Sequence, residues 1–96
     1  MFEIRLSDEG RIVLSGRLDA AQCAKAQAFL DGVPAPRIVD MGALDYISSA
    51  GLGVLLRTQK RLMATGGGLR LINVNSHIGD IFRYSGFDQI FEIERA

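Results

Sequence analysis

Apolar and polar residues alternate in two short segments at the start of the chain. Residues 2–6 carry an apolar side chain at every second position, which is typical of a half-buried strand. Residues 7–10 form a polar cluster that ends in glycine and predicts a turn, and residues 11–15 resume the strand pattern. The two segments together predict an opening β-hairpin.

The spacing of apolar residues then changes to three and four positions, as on one face of a helix. This pattern covers residues 20–31 and predicts a first helix. Asp19 stands at the expected N-cap, and Gln22 follows three residues later, so the pair resembles a capping box. Gly32 and Pro34 are expected to end this helix.

The remainder of the chain alternates between strand and helix patterns. We predict strands at residues 37–41, 69–74 and 90–93. Between the first two, residues 44–47 lead into a second helix over residues 49–65, closed by the glycine triplet 66–68. Ser76 is predicted to cap a third helix, which Gly86 ends.

The second helix has two faces of opposite character. The apolar face, predicted to meet the core, carries Leu52, Leu55, Leu56, Leu62 and Met63. The opposite face, predicted to meet solvent, carries Gly53, Arg57, Lys60 and Arg61.

The order of elements predicts an α/β domain with a mostly parallel sheet. Strands that alternate with helices imply crossover units, which are almost always right-handed. If each new strand is added beside the last, the helices lie mainly on one face. The first strand is then an antiparallel edge. With 96 residues the chain is predicted to form one domain, residues 1–96.

Charge and composition bear on the kind of partner. The 11 basic residues equal the 11 acidic ones, so we expect neither nucleic-acid binding nor attraction to an anionic membrane. A protein partner is favoured. The start of the chain has no signal-peptide pattern, and no segment reaches the ~20 apolar residues of a membrane span, which predicts a cytoplasmic protein. The single cysteine, Cys23, is predicted to be a core residue.

Catalysis and ligand binding receive little support. His77 is the single histidine, and the nucleophile-elbow pattern Gly-x-Ser-x-Gly is absent. One histidine and one distant cysteine do not make a metal site. The glycines at 66–68 lead out of a helix rather than into one, so they predict a helix cap and not a phosphate-binding loop. We therefore expect no enzyme activity, metal or cofactor.

The most informative segment is the entrance to the second helix. Ser48 and Ser49 stand there together, and one of them is expected to serve as the N-cap. Gly51 and Gly53 follow within the first turns, where each glycine costs about 1 kcal/mol relative to alanine. A glycine on the outward face would let another surface approach the serines closely. The hypothesis is a serine that accepts a phosphoryl group, with the helix terminus favouring the anionic product.

Residues 47–55 resemble the signature of the STAS-domain anti-sigma factor antagonists. In much of that family the pattern is Asp-Ser-(Ser or Thr)-Gly-Leu-Gly, and the first serine is phosphorylated. The resemblance places the acceptor at Ser49, with Ala50 at the Ser/Thr position and Ser48 at the position of the aspartate. Weaker matches at residues 16–19, 38–41 and 81–91 follow in the family's order, so the resemblance covers residues 2–93.

The resemblance implies a regulator that works by partner switching. In this scheme the unphosphorylated antagonist binds an anti-sigma factor. That factor is often a serine kinase of the ATPase fold, and a serine phosphatase restores the antagonist. Ser49 would be the switch, and the predicted contact residues are Asp19, Ser48, Ala50, Gly51, Leu52, Gly53 and Arg57. Two alternatives remain: a phosphorylation-independent STAS subunit of a larger assembly, such as a lipid-transport complex, and a small enzyme.

Overall fold

The computed structural model describes residues 1–33 and 37–96. The strands of this part are β1 (Phe2–Leu6), β2 (Ile12–Leu18), β3 (Arg37–Ile47), β4 (Leu69–Val74) and β5 (Glu92–Arg95). The α-helices are α1 (Cys23–Asp31), α2 (Ser49–Met63) and α3 (Ser76–Ser85), and short 3₁₀ turns cover Ala20–Gln22 and Phe87–Gln89. The predicted order of elements is confirmed.

The five strands form one sheet in the order β1-β2-β3-β4-β5. β1 pairs antiparallel with β2, and the other neighbours are parallel. Buried and exposed residues alternate along β1 and β4, so one face of the sheet is covered by the helices while the other meets solvent. The predicted fold class, a mostly parallel sheet with an antiparallel edge strand, is confirmed.

Several strand boundaries differ from the prediction, including the start of β2 at Ile12 rather than residue 11 and the end of β5 at Arg95 rather than residue 93. β2 continues to Leu18, and β3 runs as one strand to Ile47, because the two pair in parallel as far as the Leu18–Ile47 register. The glycine and charged residues in these stretches concealed the strand pattern. β5 begins at Glu92 rather than at residue 90, because the 3₁₀ turn before it continues through the hydrogen bond from Ile90 N to Phe87 O.

The two predicted N-caps have different outcomes. Asp19 is the N-cap residue of the 3₁₀ turn Ala20–Gln22, which leads directly into α1 at Cys23, but its side chain makes no capping hydrogen bond. Asn75, not Ser76, caps α3: its side chain accepts from Ile78 N at 2.9 Å. Ser76 is the first residue of that helix. Asparagine and serine are both good caps, so the local pattern did not separate them.

The predicted helix C-termini agree with the structure more closely than the predicted N-caps do. Gly32 is the C-cap of α1, and Gly86 ends α3 in the left-handed conformation at φ 79°. Pro34 lies outside the described residues. α2 ends at Met63, two residues earlier than predicted, and Gly66 then adopts φ +83° while Gly67 N donates to Leu62 O at 2.8 Å. This is a Schellman motif, so the glycine triplet closes the helix as expected.

The two faces of α2 follow the prediction with exceptions. Met63 is 53% exposed rather than inward. Gln59 is only 4% exposed, and its amide bridges two other elements. It donates to Ile90 O at 2.9 Å and accepts from Leu69 N at 2.7 Å. A buried polar side chain with both ends hydrogen-bonded fixes how α2 sits on the sheet.

Two further findings concern the environment of Cys23 and the length of the helices. Cys23 is half-buried against the core and donates its thiol to Asp19 O at 3.3 Å. Among the residues described, no helix has the length and apolar character needed to cross a bilayer.

Candidate functional site

Ser48 is bound into the framework where β3 passes into α2. Its backbone N–H donates to Leu18 O at 2.9 Å, so the end of β2 holds it in place. Its side-chain oxygen accepts from Gly51 N at 3.0 Å, and its carbonyl accepts from Leu52 N at 2.9 Å. Ser48 is therefore the N-cap of α2, which settles which of the two serines has that role.

Ser49 is the first residue of α2, and its side chain is exposed. None of the described residues hydrogen-bonds to its hydroxyl. The backbone N–H groups of Ser49 and Ala50 have no preceding carbonyl to receive them, because they lie in the first turn. An anion on Ser49 would therefore meet free amides and the positive end of the helix dipole.

Gly51 is buried, and its neighbours leave no room for a side chain. A Cβ at this position would lie 2.9 Å from Leu18 Cγ, 3.0 Å from Ile47 Cγ1 and 3.0 Å from Leu18 O. The glycine is needed because the start of α2 presses against the ends of β2 and β3. Leu52 is 7% exposed and belongs to the core. Both residues are buried in the isolated domain, and the partner contact predicted for them stays a prediction.

Gly53 and the cations beyond it do lie on the outward face. A Cβ on Gly53 would make ordinary contact with Arg57 Nη1 at 3.6 Å, so packing does not require glycine here. Arg57 is exposed, and its Nε donates to Gln27 Oε1 on α1 at 3.2 Å. Arg61 donates to Leu30 O at 2.8 Å and so covers the last turn of α1. Lys60 is exposed.

Asp19 is distant from the two serines in sequence, but the fold brings it close to them. It directly follows Leu18, whose carbonyl receives the Ser48 N–H. One Asp19 carboxylate oxygen is buried, and no donor in the described part of the chain reaches it. Burying an acceptor without a partner is costly, so a hydrogen-bond donor placed at this oxygen would be favourable.

One contact at the same end of the sheet, between Arg17 and Tyr46, was not predicted from the sequence. Arg17 and Tyr46 face each other in the β2–β3 register, and the guanidinium carbon lies 4.3 Å from the ring centroid. Such a cation–π contact holds an exposed arginine in a defined position. No local signal could have found it, because it depends on strand register.

The surroundings of Ser49 differ from those of a catalytic serine. A catalytic serine needs a hydrogen-bonded base, and no base of the described residues contacts Ser49. Ser49 instead offers an exposed hydroxyl on a rigid helix start, with a half-exposed glycine one turn away. This geometry suits a modifying enzyme that docks from outside.

Two sequence comparisons bear on the family. The family model described as "Mlab, STAS domain" matches residues 2–93. BtrV of Bordetella bronchiseptica, whose name describes an anti-sigma factor antagonist, is 45% identical over 59 residues. The aligned part is 62% of this chain and 51% of BtrV, so the match spans about half the length of that relative.

Solved structures share the fold. An anti-sigma factor antagonist from Mycobacterium paratuberculosis superposes with a TM-score of 0.82 at 18% identity, covering 100% of this chain and 86% of that one. The Bacillus cell fate determinant SpoIIAA in its phosphorylated form superposes with a TM-score of 0.70 at 21% identity, covering 97% and 90%. Because the family model matches residues 2–93, nearly the whole chain, the chain belongs to the STAS-domain family.

Proposed function

We propose that this STAS domain is an anti-sigma factor antagonist controlled by phosphorylation of Ser49. Its unphosphorylated form binds an anti-sigma factor, and phosphorylation ends that contact. The observation that carries the proposal is the division of roles between adjacent serines. The Ser48 side chain caps the helix at 3.0 Å from Gly51 N, while the neighbouring Ser49 hydroxyl is exposed.

This division favours Ser49 over Ser48 as the acceptor. Phosphorylation of Ser48 would either break its capping hydrogen bond with the Gly51 amide or press the phosphate against that amide. A phosphate on Ser49 would extend into solvent at the positive end of α2, where an anion gains about 0.3–1 kcal/mol. The modified domain therefore keeps its fold, and the switch acts at the surface.

The contact surface is formed by the exposed part of the site. Ser49, Ala50, Gly53 and Arg57 lie on the accessible side of α2, and Asp19 and Ser48 border it. Gly51 and Leu52 support this surface from beneath. A partner that carries carboxylates opposite Arg57 would be complementary to it.

The proposed partner is an anti-sigma factor that is itself a serine kinase of the ATPase fold. In the transfer, the Ser49 oxygen forms a bond to the γ-phosphorus of ATP, and the bond from that phosphorus to the bridging oxygen of ADP breaks. The hydroxyl proton passes to a base of the kinase. A serine phosphatase hydrolyses the ester and restores the antagonist. The domain contributes the acceptor and no cofactor, and it works in the cytoplasm, where ATP is available.

A second candidate is a STAS subunit that binds its partner without phosphorylation, as in a lipid-transport assembly. Two observations favour it. Ser48 stands where the antagonist signature has an aspartate. The matching family model is the one described as "Mlab, STAS domain". This candidate keeps the same contact surface but gives Ser49 no chemical role.

Incubation with ATP and a serine kinase encoded beside the gene tests the proposal. Phosphopeptide mass spectrometry should find one phosphate, on Ser49, and Ser49→Ala should abolish it. Ser76→Ala is the matched control, because Ser76 is also an exposed first residue of a capped helix. It should leave labelling unchanged. Undiminished labelling of Ser49→Ala would refute the assignment. Tight binding without any labelling would support the second candidate.

A further inference from the structure

Three residues of α2 form a stripe on its outward face. Ser49, Gly53 and Arg57 are spaced by four, so they lie one above the other along the helix. Residues at this spacing have Cβ atoms about 5–6 Å apart. Gly53, which has no side chain, lies between the proposed phosphoacceptor Ser49 and the exposed cation Arg57.

The Arg57 side chain already reaches one turn back along this stripe. Its Nη1 lies 3.6 Å from the point where a Gly53 Cβ would be. Helical side chains lean toward the N-terminus, so the guanidinium points along the stripe in the direction of Ser49. A larger residue at position 53 would stand between the two.

The contact that holds Arg57 is a weak one. Its Nε donates at 3.2 Å to Gln27 Oε1, and this pair is exposed. No carboxylate of residues 1–33 or 37–96 forms an ion pair with Arg57. A neutral, solvent-exposed hydrogen-bond partner is readily exchanged for an anion, because charge-assisted hydrogen bonds are roughly twice as strong.

A phosphate on Ser49 falls within reach of this guanidinium. Its oxygens stand three bonds beyond the Ser49 Cβ, which is itself about 5–6 Å from the Gly53 Cβ position. With Nη1 beside that position, a small rotation of Arg57 closes the gap to a hydrogen bond of about 2.8 Å. The guanidinium fork matches two phosphate oxygens at once.

We infer that the Arg57 guanidinium binds the phosphate of phosphorylated Ser49, and that it reaches this phosphate past Gly53, which has no side chain to block it. The inference rests on the proposed function, since it requires a phosphate at that residue. In the free form Arg57 is exposed and hydrogen-bonded to the neutral Gln27, so it is available to a partner. In the phosphorylated form it is turned onto the phosphate, so one modification alters two residues of the contact surface together.

The test installs phosphoserine at position 49 by genetic encoding, so it needs no kinase. A nearby cation favours the dianion, so it lowers the phosphate pKa, which is ordinarily about 6. Removing the cation therefore raises the phosphate pKa. A ³¹P NMR titration of the phosphorylated Arg57→Gln variant should therefore give a phosphate pKa about half a unit above that of the phosphorylated parent. The Arg57 Nε–H resonance of the parent should shift in the same pH range.

Lys60→Gln is the matched control, because Lys60 is an exposed cation on the same face of α2 but lies one turn beyond Arg57, farther from Ser49. It should leave the phosphate pKa close to that of the parent. Coincident titrations of the parent and Arg57→Gln would overturn the inference, as would an equal shift in Lys60→Gln. Either result leaves the phosphorylation of Ser49 itself to the kinase experiment, so the two failures are distinguishable.

Discussion

The side-chain oxygen of Ser48 accepts the backbone N–H of Gly51 at 3.0 Å, across the first turn of α2. This bond ties the end of β3 to the helix that carries Ser49. It also distinguishes two neighbouring hydroxyl groups, since that of Ser48 is hydrogen-bonded within the fold while Ser49 is exposed.

The first prediction concerns this cap. Ser48→Ala leaves the Gly51 amide without its acceptor, so it should lower the free energy of unfolding by about 1 kcal/mol. For a domain of this size that corresponds to roughly 4–8 °C in Tm. Ser49→Ala, one residue on, removes an exposed hydroxyl and should change Tm little. Thermal denaturation followed by circular dichroism checks both, and equal losses would contradict the assignment of Ser48 as the cap.

The second prediction compares the two glycines of the signature. Gly51→Ala places a methyl group within 3.0 Å of the Leu18 and Ile47 side chains. Overpacking of this kind should cost about 1–3 kcal/mol. Gly53→Ala meets no such contact and should stabilise the helix by up to about 1 kcal/mol. Urea denaturation of both variants measures the difference; a tolerated Gly51→Ala would show that the start of α2 can move away from the sheet.

The third prediction uses the outward position of Gly53. Gly53→Glu places a bulky anion on the proposed contact surface, while the introduced carboxylate and Arg57 would form a favourable i,i+4 pair within the helix. The fold should hold, and the dissociation constant for the anti-sigma factor should rise roughly tenfold or more, equivalent to about 1.4 kcal/mol.

Calorimetric titration of Gly53→Glu beside Gly53→Ala provides the measurement. Alanine at this position adds helix propensity without charge or bulk, so it reports the effect of the backbone alone. If the glutamate variant binds as tightly as the parent, the partner docks elsewhere on the domain.

The fourth prediction concerns the charge at Ser49. Ser49→Asp places an anion at the positive end of α2, which is worth about 0.3–1 kcal/mol in favour of the fold. Its Tm should therefore stay within a few degrees of the parent or rise. Binding to the anti-sigma factor should largely disappear, because like charges at an interface cost several kcal/mol. Thermal unfolding beside a pull-down separates the outcomes: an unfolded variant would mean that the charge acts through the fold, and normal binding would favour the phosphorylation-independent subunit.

Local patterns were sufficient for the order of elements and for the position of the site. Apolar spacing of two or of three and four marks strands and helices without reference to the rest of the chain. For the same reason the outward position of Gly53 and Arg57 and the helix end at Gly86 were predictable. The signature serines were found at the start of α2 as expected.

Tertiary structure decided the features that depend on what lies across the sheet. β3 extends to Ile47 because β2 pairs with it, and no pattern within residues 42–46 shows that partner. Gly51 is buried because Leu18 and Ile47 approach it from two strands, and Gln59 is buried because Leu69 and Ile90 satisfy its amide. The sequence by itself determined a helix start with two serines and two glycines; the packing of that start against the strand ends determined that Ser48 and Gly51 belong to the fold, while Ser49 and Gly53 face outward.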